Sequence, residues 1–138
     1  MGYWLFKSEP DTWGWPDQVA RGAAGEEWHG VRNYQARNNM RAMKLGDQGF
    51  FYHSNIGKEI VGIVEVSRES QPDSTTDDLR WDCVCLRAVR PLLRPVTLEV
   101  CKVQLGLEQM VLIHNSRLSV QPVTAQEWQI ICDLGGLG

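Results

Sequence analysis

Residues 28–44 read WHGVRNYQARNNMRAMK and combine aromatic rings, side-chain amides and four positive charges with no acidic residue. Aromatic rings stack on bases, amides hydrogen-bond to base edges and positive charges bind phosphates. No other window of the chain holds all three kinds of group together. We therefore expect a nucleotide or a modified base to bind at this stretch.

The second half of the stretch predicts an amphipathic helix. Ala36, Met40 and Met43 recur at helical spacing and would face the core. A basic stripe beside them would be open to solvent. It consists of Arg37, Arg41 and Lys44. Asn33 is a suitable N-cap, so residues 28–32 would lie at the positive end of the helix, which favours anionic or electron-rich groups. A solvated helix whose arginines bind nothing specific is an equal alternative.

Length and composition restrict the class of protein. The 138 residues fit a single domain, which we expect to span residues 1–138. The net charge of −3 argues against a general nucleic-acid coating protein, which would be basic. Any nucleic-acid contact should therefore be a local patch. The six tryptophans suit a core, but indole is also a preferred surface for stacking and for cages.

The cysteines and the N-terminus favour a cytoplasmic protein. The four cysteines show no CxxC spacing and have no histidine at metal-ligand spacing. We therefore expect free thiols in a reducing compartment, with no metal and no cofactor. The first residues lack the basic leader and apolar run of a signal peptide. No apolar run approaches the roughly 20 residues of a membrane helix, so we expect no membrane association.

Hydrophobic patterning predicts five or six short strands mixed irregularly with three or four short helices. Strands are predicted at residues 3–6, 50–52, 60–66, 81–89 and 117–121. Helices are predicted at residues 15–21, after Asn33, within residues 97–106 and after Thr124, where Thr124 and Glu127 fit a capping box. Residues 67–79 are predicted as the longest loop, and Pro91 and Pro95 as the end of the strand before them. The pattern favours an α+β fold with a strongly curved sheet or small barrel carrying helices on its rim.

No nucleophile elbow, Walker loop, dinucleotide fingerprint or HExxH motif is present, so we assign no catalytic residue. His53, followed by Ser54 at the end of a predicted strand, is the best ligand candidate among the histidines, because strand ends deliver polar groups into clefts. Lys7, Ser8 and Glu9 end the first strand in the same way. They could do acid–base work on a phosphodiester or form a local surface ion pair.

Four segments of the chain resemble the EVE domain family. They are YWLFKSEP at residues 3–10, GVRNYQARN at 30–38, Gly46-Asp47 with FYHSN at 51–55, and RLSVQPV at 117–123 with Glu127-Trp128. The segments occur in family order and span nearly the whole chain. The first two are long and specific.

The resemblance implies a PUA-like fold, a curved pseudo-β-barrel related to YTH and ASCH domains. It also implies a non-enzymatic reader of modified bases in DNA or RNA that accepts a flipped-out nucleotide. Trp28 would stack on the extruded base, and Ser8, Asn33 and Ser54 would hydrogen-bond its edge. The other pocket candidates are Lys7, Glu9, Arg32, Tyr34 and His53. The candidates for flanking phosphates are Arg32, Arg37, Arg41 and Lys44.

We therefore predict recognition of a modified cytosine or adenine, most simply in DNA, with any effector supplied by a separate protein. One alternative is an ASCH-like nuclease or hydrolase that recruits Lys7, Glu9, Arg37 and His53. Another is a sensor of a free nucleoside, which needs no phosphate-binding arginines. The chain departs from the family pattern at His29, where members carry an acidic residue. It also departs in the loop after Asp73, which is short and bears on ligand choice.

Overall fold

The computed structural model describes residues 2–138 as an open sheet with short helices. The strands are β1 (Tyr3–Ser8), β2 (Glu26–Glu27), β3 (Gln48–His53), β4 (Glu59–Pro72), β5 (Asp82–Thr97) and β6 (Val120–Val123). The helices are α1 (Trp15–Ala20), α2 (Tyr34–Ala42), α3 (Leu98–Val103), α4 (Val111–His114) and α5 (Ala125–Leu134), with a 3-10 turn at Gly22–Ala24. None of the helices in residues 2–138 has the length and apolar character needed to cross a membrane.

One mixed sheet of six strands organises the chain in the order β2-β5-β4-β3-β1-β6. The β1–β3 pair is parallel and every other pair is antiparallel. The parallel pairing places the ends of β1 and β3 side by side, with Ser8 opposite His53. The sheet does not close into a barrel. The predicted α+β class is confirmed.

The β4–β5 hairpin is longer than the sequence predicted. Four register shifts interrupt the pairing of these strands, and bulges of this kind bend a strand and increase its twist. Residues 67–79 were therefore wrongly predicted as one loop, since β4 continues through its bulges to Pro72 and pairs with Asp82. The loop proper comprises residues 73–81.

The prediction that Pro91 and Pro95 end the strand is also wrong, because β5 continues to Thr97. The neighbouring strand β2 pairs with β5 only at Cys85 and Leu86. Beyond those residues one side of β5 has no strand beside it. A proline there removes no ladder hydrogen bond. Pro122 is tolerated for the same reason, since β6 is an edge strand.

Two cores pack on opposite faces of the sheet, because successive strand residues point to opposite sides. Leu5 and Phe50 face one core, and Phe6 and Phe51 face the other. The first, which we call the α5-side core, includes Trp128 and Ile131 of α5 and Cys101 of α3. The second, the α2-side core, includes Trp28 together with Ala36, Met40 and Met43. The predicted apolar stripe of α2 is thus confirmed.

Local capping signals were predicted correctly. The Asn33 side-chain oxygen accepts the Ala36 amide at 2.9 Å and begins α2. The Thr124 hydroxyl accepts the Glu127 amide at 3.1 Å, and the Glu127 carboxylate accepts the Thr124 amide at 3.0 Å. This capping box begins α5. The apolar segment 110–113, to which the sequence analysis assigns neither a strand nor a helix, contains most of the short helix α4.

Candidate functional site

A cavity of about 610 Å³ opens beside the α2-side core. Its walls come from the end of β1, the chain before α1, strand β2 with the loop after it, and the segment before β6. The lining residues are Lys7, Ser8, Glu9, Thr12, Trp13, Glu26, Glu27, Trp28, His29, Gly30, Val31, Arg32 and Ser119. Five of the predicted pocket residues are among them: Lys7, Ser8, Glu9, Trp28 and Arg32.

Trp28 forms a rigid wall of the cavity. Only 8% of its surface is exposed, and its ring packs edge-to-face against Phe6 and Phe51, with ring centroids 5.6 Å and 5.8 Å away. Its amide donates to the Val84 carbonyl at 2.9 Å. Trp28 is therefore part of the core as well as of the cavity.

Trp13 is a second indole in the lining, which the sequence analysis did not single out. Its Nε1 donates to the Gln18 side-chain oxygen at 3.0 Å, and the fully buried Gln18 in turn donates to the Leu86 carbonyl. These bonds hold the indole in place. A signal was present in the sequence, because Trp13 lies only three residues after Pro10, the last residue of the K-S-E-P segment of the resemblance.

The end of β1 delivers three polar side chains to the cavity. The Lys7 ammonium donates to the Ser116 carbonyl at 2.8 Å, and burial lowers the pKa of Lys7. No carboxylate of residues 2–138 pairs with Lys7. Its charge is therefore available to a ligand. Ser8 donates its hydroxyl to the Trp13 carbonyl, and the Glu9 carboxylate accepts the Asn55 side-chain amide at 2.9 Å.

Asp73 fixes the loop that forms the mouth of the cavity. Its carboxylate accepts the Gly30 amide at 2.8 Å and the Arg32 guanidinium at 3.1 Å, as well as the amide and hydroxyl of Thr75. Burial alone would raise the pKa of Asp73, but these hydrogen bonds hold it well below its ordinary value. Arg32 is thereby positioned at the rim with its charge compensated.

Glu26 and Glu27 place two half-buried carboxylates on the wall, neither of which the sequence singled out. Glu26 pairs with Arg21 at 3.2 Å and lies 3.9 Å from the His29 ring. Glu27 lies 3.6 Å from Arg68 and accepts the Ser74 hydroxyl. Both remain hydrogen-bond acceptors for a ligand.

Four predicted pocket residues lie outside the cavity lining. Asn33 uses its side-chain oxygen as the cap of α2. The His53 Nε2 accepts the Trp15 amide at 3.0 Å, and burial lowers the pKa of His53. The Ser54 amide donates to the Ser8 carbonyl at 2.9 Å, which joins β3 to the end of β1. Tyr34 stacks on Trp81 beside the cavity.

Of the four residues predicted to bind flanking phosphates, Arg32 is paired with Asp73, and the other three differ in how far their charge is already compensated. Arg41 forms an ion pair with Asp82. Arg37 donates to the Arg80 carbonyl at 2.8 Å and to the Asn38 side-chain oxygen, both uncharged. Lys44 is exposed. Two members of the predicted basic stripe, Arg37 and Arg41, therefore lie on α2, whereas Lys44 lies beyond its end at Ala42, and Arg41 is already paired.

A group of potential metal ligands, formed by Glu27, Asp73 and Cys83, has its ligand atoms within 4.8 Å of one another. It does not fit a metal. Both Asp73 oxygens already accept hydrogen bonds from protein donors. Burial raises the pKa of Cys83 to about 12, whereas a thiol must lose its proton to bind a metal.

Comparison with known proteins identifies relatives over nearly the whole chain. Residues 2–134 match the model of the EVE domain. A solved protein from Agrobacterium tumefaciens is 59% identical, with a TM-score of 0.98 over 99% of this chain and 94% of that chain. The crystal structure of human thymocyte nuclear protein 1 (THYN1) in complex with DNA containing 5-methylcytosine is 34% identical, with a TM-score of 0.90 over 98% of both chains.

A more distant likeness concerns the fold alone. The YTH domain of the Zygosaccharomyces rouxii MRB1 protein, solved with N6-methyladenosine RNA, is 17% identical, with a TM-score of 0.59 over 97% of this chain and 86% of that chain. The PUA-like fold expected from the sequence is confirmed by these neighbours.

Proposed function

This chain belongs to the EVE domain family, and from that membership we propose that it is a non-enzymatic module that recognises a modified base in DNA. In this proposal a flipped-out nucleotide enters the cavity, its base lies against the indoles, and polar groups of the wall read its edge. The cavity volume of about 610 Å³ is within the range of sites that enclose small ligands.

The observation that carries the proposal is the pair of indoles, Trp13 and Trp28, in one cavity with an unpaired lysine. Flipping a nucleotide out of a duplex costs a few kcal/mol. Stacking on an aromatic side chain returns about 1–3 kcal/mol per base. Because both indoles are held by hydrogen bonds and packing, little entropy is lost when a base binds against them.

The polar groups of the wall favour cytosine over adenine. Cytosine presents an exocyclic amino group and a ring carbonyl on the same edge. The carboxylates of Glu26 and Glu27 can accept hydrogen bonds from the amino group, and the Lys7 ammonium can donate a hydrogen bond to the carbonyl. Adenine offers the amino group without the carbonyl. The complex of the 34% identical human protein with 5-methylcytosine DNA supports the same choice.

The test is a titration of the protein with short duplexes that differ at one nucleotide. The set comprises unmodified cytosine, 5-methylcytosine, 5-hydroxymethylcytosine and N6-methyladenine, and intrinsic tryptophan fluorescence reports binding. We expect saturable quenching that prefers one modified cytosine. Trp13→Phe should change the quenching, whereas Trp128→Phe, in the α5-side core, should not.

Equal binding of all four duplexes by the folded wild-type protein would contradict the proposal. Two further measurements separate the other functions. Hydrolysis of any of these duplexes that disappears in Lys7→Met would identify a nuclease. Binding of free 5-methyl-2′-deoxycytidine as tightly as the duplex would identify a nucleoside sensor.

A further inference from the structure

A stacked aromatic pair lies next to the cavity and outside its lining. The Tyr34 and Trp81 rings are nearly parallel, with an interplanar angle of 22° and centroids 4.9 Å apart. Trp81 is 8% exposed and therefore fixed, whereas Tyr34 is 50% exposed. The structure thus presents an aromatic ring to solvent on a rigid support. We call Tyr34, Trp81 and the neighbouring Arg37 the Tyr34 platform.

Positive charge surrounds the platform. The Arg37 guanidinium carbon lies 4.8 Å from the Tyr34 ring centroid, and Arg80 donates to the Tyr34 hydroxyl at 3.2 Å. Arg80 is ion-paired with Asp78. Within residues 2–138, Arg37 has no carboxylate partner. An aromatic face with an uncompensated guanidinium beside it is suited to a base and its phosphate.

Arg32 connects the platform to the cavity. It lines the cavity, and its guanidinium carbon also lies 5.4 Å from the Trp81 ring centroid. A DNA strand that places one nucleotide in the cavity can therefore place a nearby base at the platform. Flipping also leaves the base on the opposite strand without a partner and opens the stack on either side.

We propose that the Tyr34 platform is a second stacking site, which holds an unpaired or neighbouring base of the duplex while the flipped nucleotide occupies the cavity. Arg37 binds the phosphate next to that base. The inference rests on the proposed function and deepens it, because it assigns to this surface a part of the DNA that the cavity does not contact. The platform would lower the cost of flipping by covering a base face that flipping exposes.

The test combines changes in the protein with changes in the DNA. Duplexes carrying 5-methylcytosine are made with an abasic site at one of three positions: the 5′ neighbour, the 3′ neighbour, or the nucleotide opposite. Each is bound to wild type, Tyr34→Ala and Tyr34→Phe. On the intact duplex, Tyr34→Ala should bind roughly 5- to 150-fold more weakly than wild type. Tyr34→Phe keeps the ring and should bind like wild type.

The abasic series identifies the base that stacks on Tyr34. At one of the three positions, loss of the base should weaken wild-type binding and leave Tyr34→Ala binding unchanged. Tyr34→Leu, which still covers Trp81 but has no aromatic face, should behave like Tyr34→Ala and excludes an effect of unfolding. Wild-type affinity for Tyr34→Ala, or equal losses in wild type and variant at all three positions, would overturn the inference. Failure of the proposed function is a separate outcome, in which wild type binds modified and unmodified duplexes alike.

Discussion

The Arg32 guanidinium donates to the buried Asp73 carboxylate at 3.1 Å, although 41 residues separate them in the chain. The same carboxylate accepts the Gly30 amide at 2.8 Å. The turn after β4 therefore positions the rim of the cavity. The short loop of residues 73–81 still contains the residue that orders the binding loop, and its Trp81 supports Tyr34.

Asp73→Asn should lower the free energy of unfolding by about 2–3 kcal/mol. The carboxylate is 2% exposed and accepts four hydrogen bonds, and an amide in its place leaves buried donors unpaired. Urea denaturation measures the change. Asp77→Asn, an exposed position in the same loop, is the matched control and should stay within about 0.5 kcal/mol of wild type. A wild-type midpoint for Asp73→Asn would show that the loop does not depend on this carboxylate.

The stabilisation by Asp73 should depend on pH in one direction. Its pKa in the folded protein is held below the ordinary value of 3.8 by the hydrogen bonds that offset burial. The unfolded chain therefore binds the proton first as pH falls. The stability difference between wild type and Asp73→Asn should be fully present above about pH 5 and shrink steadily below it. Unfolding free energies at pH 6, 5, 4 and 3 check this, and a constant difference would contradict it.

Arg37 and Arg41 should contribute unequally to the salt dependence of DNA binding. Arg37→Gln should lower the slope of log affinity against log salt by about 1, because one phosphate contact is lost. Arg41→Gln should change the slope less, since Asp82 already compensates the Arg41 charge. Binding isotherms at several salt concentrations measure both slopes. Equal effects of the two variants would mean that the Arg41–Asp82 pair opens when DNA binds.

Trp28→Ala should destabilise the fold by about 3–5 kcal/mol, because the ring is a core residue packed against Phe6 and Phe51. Trp13→Ala should cost less, since Trp13 is only partly buried. Thermal and urea unfolding of both variants test this order. If Trp28→Ala proved as stable as wild type, the ring would be a mobile cage wall that the core does not need.

Much of the local structure could be predicted from short-range patterns. The Asn33 cap, the buried face of α2 and the Thr124–Glu127 capping box each depend on residues within about one helical turn. Such interactions form wherever the segment lies in the protein. The strands of continuous apolar residues were found for the same reason. Their ends were misplaced, because a strand ends where its pairing partner does, and that partner is distant in the sequence.

The lining of the cavity could be predicted only in part, because it combines residues that are distant in the sequence. Lys7, Ser8 and Glu9 were recognised from their motif, and Trp13 lies near that motif, but Glu26 and Glu27 carry no local signal of a shared site. They meet because β1 pairs with β3 in parallel and because bulges curve the long β4–β5 hairpin. Those pairings join residues far apart in the chain. The free energy of forming them depends on closing large loops and on filling both cores at once.

Composition and motifs were thus sufficient for the α+β class, the family and the helix that carries the basic stripe. The sequence could not predict which groups the individual charges would contact. In the structure Asp82 neutralises Arg41 and Asp73 orients Arg32, whereas the hydrogen-bond partners of Arg37 are neutral. Side-chain charge is a property of the residue, but its availability to a ligand depends on which groups the folded chain brings within about 4 Å.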